Sequence, residues 1–308
     1  MKYSIIILLK FRNDDIVEFV ANLDSLFRHR GEDFEILIML DGMFTLPEEK
    51  RNQLAQIDTD LRIFRLPPKT TEAICLASGY RECRGETIVV LGSFQQITSQ
   101  SLKQMIAALD DETDMVVSWR RNRLDGRFSQ FQSRVFNYVV RSMVRTDLND
   151  IACKVKVMRP KILDSIAVYG KMYNYLPILA RNKGYRVKEI ACDHYKDHRK
   201  PGIRSVSQYL NTLLDILVLY FNSKYNRKPL RFFSTVGIIF AFIGALIISY
   251  VFFDKLLFGT PIGERSVLLI SLLFIVNGIQ AASVGLLGEI IAFVHGRHRK
   301  EYTIEKII

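Results

Sequence analysis

The 308-residue chain is 49% hydrophobic and carries a formal net charge of +11, with a mean hydropathy of +0.10 and a pI near 9.5. Such a composition excludes disorder, a collagen-like fibre and a small disulfide scaffold, and the length accommodates two modules at roughly 150 residues each. Cys75, Cys83, Cys153 and Cys192 lie far apart, with no C-x-x-C pair and no secretory leader before them, so reduced thiols are expected, with neither a disulfide nor structural zinc.

Residues 1–200 read as short β-rich runs alternating with helices. Strands are expected at Tyr3–Leu9, Phe34–Leu40, Leu61–Phe64, Thr87–Leu91 and Asp114–Trp119. Between them, Asp14–His29 sets Ile16, Phe19, Val20, Leu23 and Phe27 on one helical face, Glu48–Ile57 is a shorter helix, and Thr71–Arg84 stops at Gly85. Strands apolar on both faces, each followed by a helix, imply a mostly parallel, doubly wound α/β sheet with ligands at the carboxyl ends of the strands. His194–Arg204, basic and containing Pro201 and Gly202, is linker-like.

Ser205–Phe221 then spaces Tyr209, Leu210, Leu213, Leu214, Leu217 and Phe221 helically around one charge, Asp215. Two readings fit it: a juxtamembrane amphipathic helix lying in the membrane surface, and a core helix of the globular part. From Phe232 to Phe253 about 22 residues pass without a charge, and Ser266–Gly288 repeats the pattern, so two transmembrane helices joined by the Asp254–Arg265 loop are expected. Lys224, Arg227, Lys228 and Arg231 precede the first span, and Arg297, Arg299 and Lys300 follow the second, which puts both termini on the cytoplasmic side of an inner membrane. The expected domains are 1–200, a loop and amphipathic helix at 201–231, a hairpin at 232–293 and a tail at 294–308.

So basic a chain needs an anionic partner: nucleic acid, lipid headgroups or a phosphorylated substrate. Nucleic acid is set aside, because no helix-turn-helix, RNP motif or zinc finger is present and the charges flanking the spans already serve topology. Arg120, Arg121, Arg123, Arg127 and Arg134 follow the fifth strand, where guanidinium groups grip phosphate through paired hydrogen bonds. A solvated basic face beside an acidic membrane is the other reading. Two uncharged spans offer no polar pathway, which argues against a transporter or channel.

A set of segments carries a family resemblance: SIIILL in the first strand, the Asp41-Gly42 turn, the Gly85–Leu91 strand and RRNRLDGRFSQFQSRVFNYVVR from Arg120. Asp150-Ile-Ala-Cys153, Lys154-Val-Lys-Val-Met-Arg159, YGKMYNYLPILA, GYRVKEI, His194, Arg199, Gly202 and the two spans complete it. In this order they resemble the membrane-anchored family 2 glycosyltransferases that load sugars onto polyisoprenyl phosphates, the group of dolichyl-phosphate mannose synthase and the bacterial undecaprenyl-phosphate glycosyltransferases. The resemblance implies a GT-A nucleotide-sugar domain, a nucleotide-sugar donor, a polyprenyl phosphate acceptor, contact with membrane lipid and often a tetramer. It implies Asp41 as the nucleobase partner and Asp150 as the acidic residue beside the acceptor, orienting attack or holding a counter-charge. Arg121 and Arg134 resemble the arginines that meet the lipid phosphate or the donor diphosphate, and Arg199 with Gly202 resembles the acceptor loop. Asp150 also suits a helix cap, and Asp41-Gly42 a common tight turn.

The departures concern the donor. Where the family opens its nucleotide site with Pro-x-Tyr-Asn-Glu, this chain has Leu8, Lys10, Phe11 and Arg12 in the matching places; where it holds Mg²⁺ or Mn²⁺ with Asp-Ala-Asp-Leu-Gln, this chain reads Gly92, Ser93, Phe94, Gln95, Gln96. The ligand aspartates are absent, so no metal cofactor is expected. Lys10 and Arg12, with Gln96 beside them, are the expected donor contacts, and solvated strand-end cations are the other reading. Two functions follow: a polyprenyl-phosphate glycosyltransferase with an altered, metal-independent donor site, or a catalytically lapsed pseudoenzyme. The lapsed form would act as a scaffold, a lipid-phosphate binder or a regulatory subunit of an active paralogue. A homo-tetramer or a hetero-oligomer with that paralogue is expected.

Overall fold

Every residue of Tyr3–Leu9 (β1) is buried, as expected for a parallel strand covered by helices on both faces. The computed structural model describes residues 1–11, 15–29, 31–57, 59–121, 141, 147–151, 153–166, 172–195, 229–258 and 266–296. Arg12, Arg134, Arg199 and the amphipathic segment 205–221 lie outside the described residues.

Around β1 the chain lays down Ile16–Arg28 (α1), Phe34–Asp41 (β2), Glu48–Ala55 (α2), Asp60–Leu66 (β3), Glu72–Glu82 (α3), Thr87–Leu91 (β4), Ser99–Ala107 (α4) and Met115–Arg121 (β5). Lys156–Met158 (β6), Pro160–Ser165 (α5), a 3₁₀ turn at Met172–Tyr175, Leu176–Asn182 (α6) and Val187–Asp193 (β7) complete the unit. The seven strands form one sheet in the order β3-β2-β1-β4-β6-β5-β7. Only β6 breaks its parallel sense, running antiparallel to both β4 and β5. The expected mostly parallel α/β sheet is therefore present. Ser99–Ala107, β6, α5, the 3₁₀ turn, α6 and β7 are the elements that the sequence reading did not assign.

Strand alternation sorts the core into two layers. Ile5, Ile7 and Leu9 join Ile36, Ile38 and Val89 beneath α1 and α4. Ile6 and Leu8 join Leu37, Met39, Ile88 and Val90 against Ala73 and Leu76 of α3 and against Tyr173 and Leu176. At the amino ends of the strands, buried Glu35 accepts from Ser4 Oγ at 2.5 Å, Arg84 N–H at 2.6 Å and Arg62 at 2.5 Å. Burial opposes its charge, but these donors outweigh burial and hold the carboxyl below its usual range. Gly85 is required there, since a Cβ would sit 2.5 Å from the Ser4 nitrogen.

The chain divides into two compact units, Met1–Leu219 and Tyr220–Ile308. In the second, Pro229–Phe258 (α7) and Ser266–Gly296 (α8) are long and apolar enough to span a membrane. Only 17% and 11% of their apolar windows are buried, which separates them from the core helices of a soluble domain. Both continue past the expected charge-free limits, α7 taking in Arg231 and Lys255 and α8 running beyond Gly288 through Glu289 to Gly296. The helices touch at glycine: a Cβ on Gly237 would meet the Gly278 carbonyl oxygen at 2.5 Å, and one on Gly278 would meet that of Gly237 at 2.6 Å. Glu289 of α8 accepts from the Leu230 N–H at 3.3 Å, satisfying one of the open donors at the start of α7.

Candidate functional site

At the carboxyl ends of β1 and β2, Lys10 and Asp41 form an ion pair, Nζ to Oδ2 2.5 Å. The same ammonium donates to the Thr70 carbonyl just ahead of α3. The other oxygen of Asp41 accepts from the backbone N–H groups of Met43 (3.1 Å) and Lys69 (3.0 Å). Burial pushes the Asp41 carboxyl up, yet Lys10 and these two donors prevail and leave it below the ordinary value. Lys69 adopts a left-handed backbone, φ 61°, uncommon for a side-chain-bearing residue and held there by the bond to Asp41. Gly42 permits the approach, since a Cβ at this position would collide with the Leu66 carbonyl at 2.3 Å. Lys10 and Asp41, both expected at the donor site, are thus brought together.

Ser93 ties the next turn down. Its hydroxyl donates to the Leu8 carbonyl at 2.9 Å and accepts from the Lys10 N–H at 2.8 Å. Phe94 is half-buried and lines a small apolar recess with Phe19, Leu23 and Leu102, on the α1–α4 side of the sheet. Gln96 spends its side-chain oxygen on the Lys154 N–H at 2.8 Å, so it anchors the segment entering β6.

Across β4 and β6 the pairs are Ile88 with Met158 and Val90 with Lys156. Beyond the paired residues, Lys154 packs beside Gly92, its Cβ 3.1 Å from where a Cβ on residue 92 would stand. The Lys154 ammonium bonds Glu72 Oε2 and Asn174 Oδ1, each at 2.6 Å. Two residues on, Lys156 is buried, donates to the Cys153 carbonyl at 3.0 Å and sits 4.2 Å from the Tyr173 ring centroid. Burial, then repulsion by Lys154, brings its pKa down to about 7. Tyr173 donates its hydroxyl to the Lys154 carbonyl at 2.8 Å.

Asp150 lies apart from the Lys10–Asp41 pair in the register, ahead of β6. Both its oxygens bind Arg120 of β5, at 2.6 Å to Nε and 3.1 Å to Nη2, with the two side chains more than nine-tenths buried. Glu189 of β7 holds the loop by accepting from the Asn149 and Asp150 N–H groups at 2.7 and 3.0 Å. In this arrangement the Asp150 carboxylate holds a counter-charge. Arg121 closes β5 opposite Asp193, and its strand position alone is described.

The sequence reading did not single out Glu72, Asn174, Tyr173 or the cross-strand relation of Gly92 and Lys154. The alternating Lys154-Val-Lys-Val-Met158 was the available signal for the strand that creates it. Mg²⁺ or Mn²⁺ takes oxygen ligands. Gly92 and Phe94 offer none, and among the described residues no group of three or more His, Cys, Asp or Glu side chains is placed to hold a metal. The turn after β4 thus supplies no side-chain oxygen at positions 92 and 94 for such an ion.

The profile of Glycosyl transferase family 2 matches residues 4–167. A dodecaprenyl-phosphate galacturonate synthase of Rhizobium johnstonii is 26% identical over 92% of this chain and 84% of its own length. Undecaprenyl-phosphate 4-deoxy-4-formamido-L-arabinose transferases of Pseudomonas savastanoi and Proteus mirabilis are each 23% identical, over 99% and 100% of this chain and 90% and 94% of theirs. Among solved structures, glucosyl-3-phosphoglycerate synthase of Mycobacterium tuberculosis in complex with UDP shares the fold, at a TM-score of 0.52 and 10% identity over 72% of this chain and 79% of that one.

Proposed function

Because the chain belongs to glycosyl transferase family 2, we propose that it transfers a sugar from a nucleotide sugar to a polyisoprenyl phosphate at a membrane. The observation that carries this is the extent of the similarity: relatives named as polyprenyl-phosphate sugar transferases match 92% to 100% of the chain, well beyond the sheet and through both apolar helices. A polyprenyl acceptor is insoluble in water, so an enzyme that uses it works at the bilayer, and two spans supply that placement. The donor would sit at the carboxyl edge beside Asp41, Lys10, Arg12 and Gln96. Arg121, Arg134 and Arg199 would meet the acceptor phosphate, since guanidinium groups pair with phosphate oxygens bidentately. Asp150 would hold the Arg120 guanidinium in place beside that acceptor. The globular unit and both termini would face the cytoplasm, and an oligomer, of this chain or with a paralogue, would form.

The lapsed alternative is favoured by one observation, that Gly92 and Phe94 stand where the resemblance places metal ligands. Losing one preorganised charge stabiliser costs on the order of 10²–10³ in rate. The deciding experiment supplies the purified full chain, in membrane mimetic, with undecaprenyl phosphate and a panel of radiolabelled sugar nucleotides. Label extracted with the lipid supports the transferase. A folded chain that binds undecaprenyl phosphate but transfers no sugar from any donor supports the lapsed form.

A further inference from the structure

Gly92 is buried just past the carboxyl end of β4, and Lys154 lies two residues ahead of β6, the strand that pairs antiparallel with β4. A Cβ on residue 92 would lie 3.1 Å from Lys154 Cβ and 3.3 Å from Cγ, tighter than ordinary van der Waals contact. The lysine stem has closed into the space that a side chain at 92 would need. Where the family resemblance places a carboxylate, the stem of a cation fills the space beside a glycine.

That cation is held from three sides. Gln96 fixes the Lys154 N–H, Tyr173 fixes its carbonyl, and Glu72 and Asn174 each take one ammonium proton at 2.6 Å. An ammonium has three donors, and the side chain keeps 24% exposure. Along the α3 face of the carboxyl edge, Asp41, Lys10, the gap at Gly92 and Lys154 follow one another on β2, β1, β4 and the entry to β6. Lys10 reaches the Thr70 carbonyl, and Lys154 reaches Glu72 two residues later, so two ammonium groups bracket the start of α3.

We propose that Lys154 is the residue that meets the diphosphate of a nucleotide donor at this edge, in the position where a divalent cation would otherwise be bound. This rests on the nucleotide-sugar reading above and adds to it the group that receives the donor's charge. Glu72 and Asn174 position the ammonium before the ligand arrives, which lowers the ordering cost of binding. A lysine supplies one charge to a metal's two, so the site binds a diphosphate without requiring Mg²⁺ or Mn²⁺.

The test is calorimetric binding of UDP, GDP, CDP and dTDP to the full chain in detergent, with EDTA and with Mn²⁺. The expected result is that one of them binds equally in both conditions. Lys154→Met should bind it roughly 10- to 100-fold more weakly, as for loss of a charge-assisted hydrogen bond, and Lys154→Arg should restore most of the affinity. Lys154→Gln serves the same purpose as Lys154→Met should the latter fail to fold. Binding by the wild type that requires Mn²⁺, or a folded neutral variant that binds as the wild type does, overturns the proposal and leaves the nucleotide-sugar reading standing. A folded wild type that binds none of the four in either condition overturns both.

Discussion

Arg120 grips both oxygens of Asp150, at 2.6 and 3.1 Å, across the carboxyl end of β5, and neither side chain is more than 8% exposed. Breaking a buried pair by removing one partner strands the other charge, at a cost of about 3–5 kcal/mol. Asp150→Ala should therefore lower the urea midpoint of the globular unit as well as any activity. The double change Arg120→Met with Asp150→Leu should recover much of the stability. A single Asp150→Ala variant as stable as the wild type would show that the pair holds nothing in place.

Lys156 gives a pH signature. Its pKa in the folded chain lies near 7 against 10.5 for the free side chain, chiefly through burial. Between those values the unfolded chain binds a proton that the native chain does not, so stability rises as pH increases through the window and the burial penalty is fully felt below it. Lys156→Met should flatten the profile, with its largest stabilising effect near and below pH 7. Urea denaturation at several pH values checks this, and parallel profiles for the two proteins would refute it.

The hairpin depends on backbone contact between α7 and α8. Gly237→Leu forces a side chain into the Gly278 carbonyl, 2.5 Å from where its Cβ would stand, and should cost on the order of 1–3 kcal/mol. Thermal unfolding of the chain in detergent should shift downward by several degrees. Thr235→Leu, at an exposed position two residues away and so on the other side of α7, should leave the transition unchanged.

Orientation can be read by labelling. With basic residues before the first span and after the second, the segment 254–265, which begins in the last turn of α7, is expected on the side opposite the globular unit. In cysteine-free protein, a single cysteine at Thr260 should react with a membrane-impermeant maleimide in intact cells. Reaction only after permeabilisation would reverse the topology.

The sheet was legible because its signal is local. Ile5 to Leu9 and Ile36 to Leu40 are apolar on both faces, which a buried parallel strand requires and the helices beside it do not share. The spans were legible for the same reason, a continuous lack of charge. Strand β6 was missed because three residues carry too little periodicity, and one of its members is a lysine, buried against Tyr173 instead of solvated. At the site, Lys10 could be named from its place after the first strand and Asp41 from the family resemblance. Their pairing through Thr70 and Lys69 could not, because it depends on loops whose backbone is set by those very contacts. Lys154 escaped notice because its relation to Gly92 spans 62 positions in the chain and exists only through the β4–β6 register.

The reversed direction of β6 has a lasting consequence for this scaffold. In a purely parallel sheet, the segment just before a strand lies at the opposite edge from the ligand. Reversal brings the lead-in to β6 to the same rim as the strand ends of β1, β2 and β4. Lys154 can thus change the sign of the rim while its neighbours Cys153 and Val155 stay in the core beneath α1 and α4. A frame built this way lets the chemistry of its mouth drift through a single codon whose flanking residues keep their place in the interior.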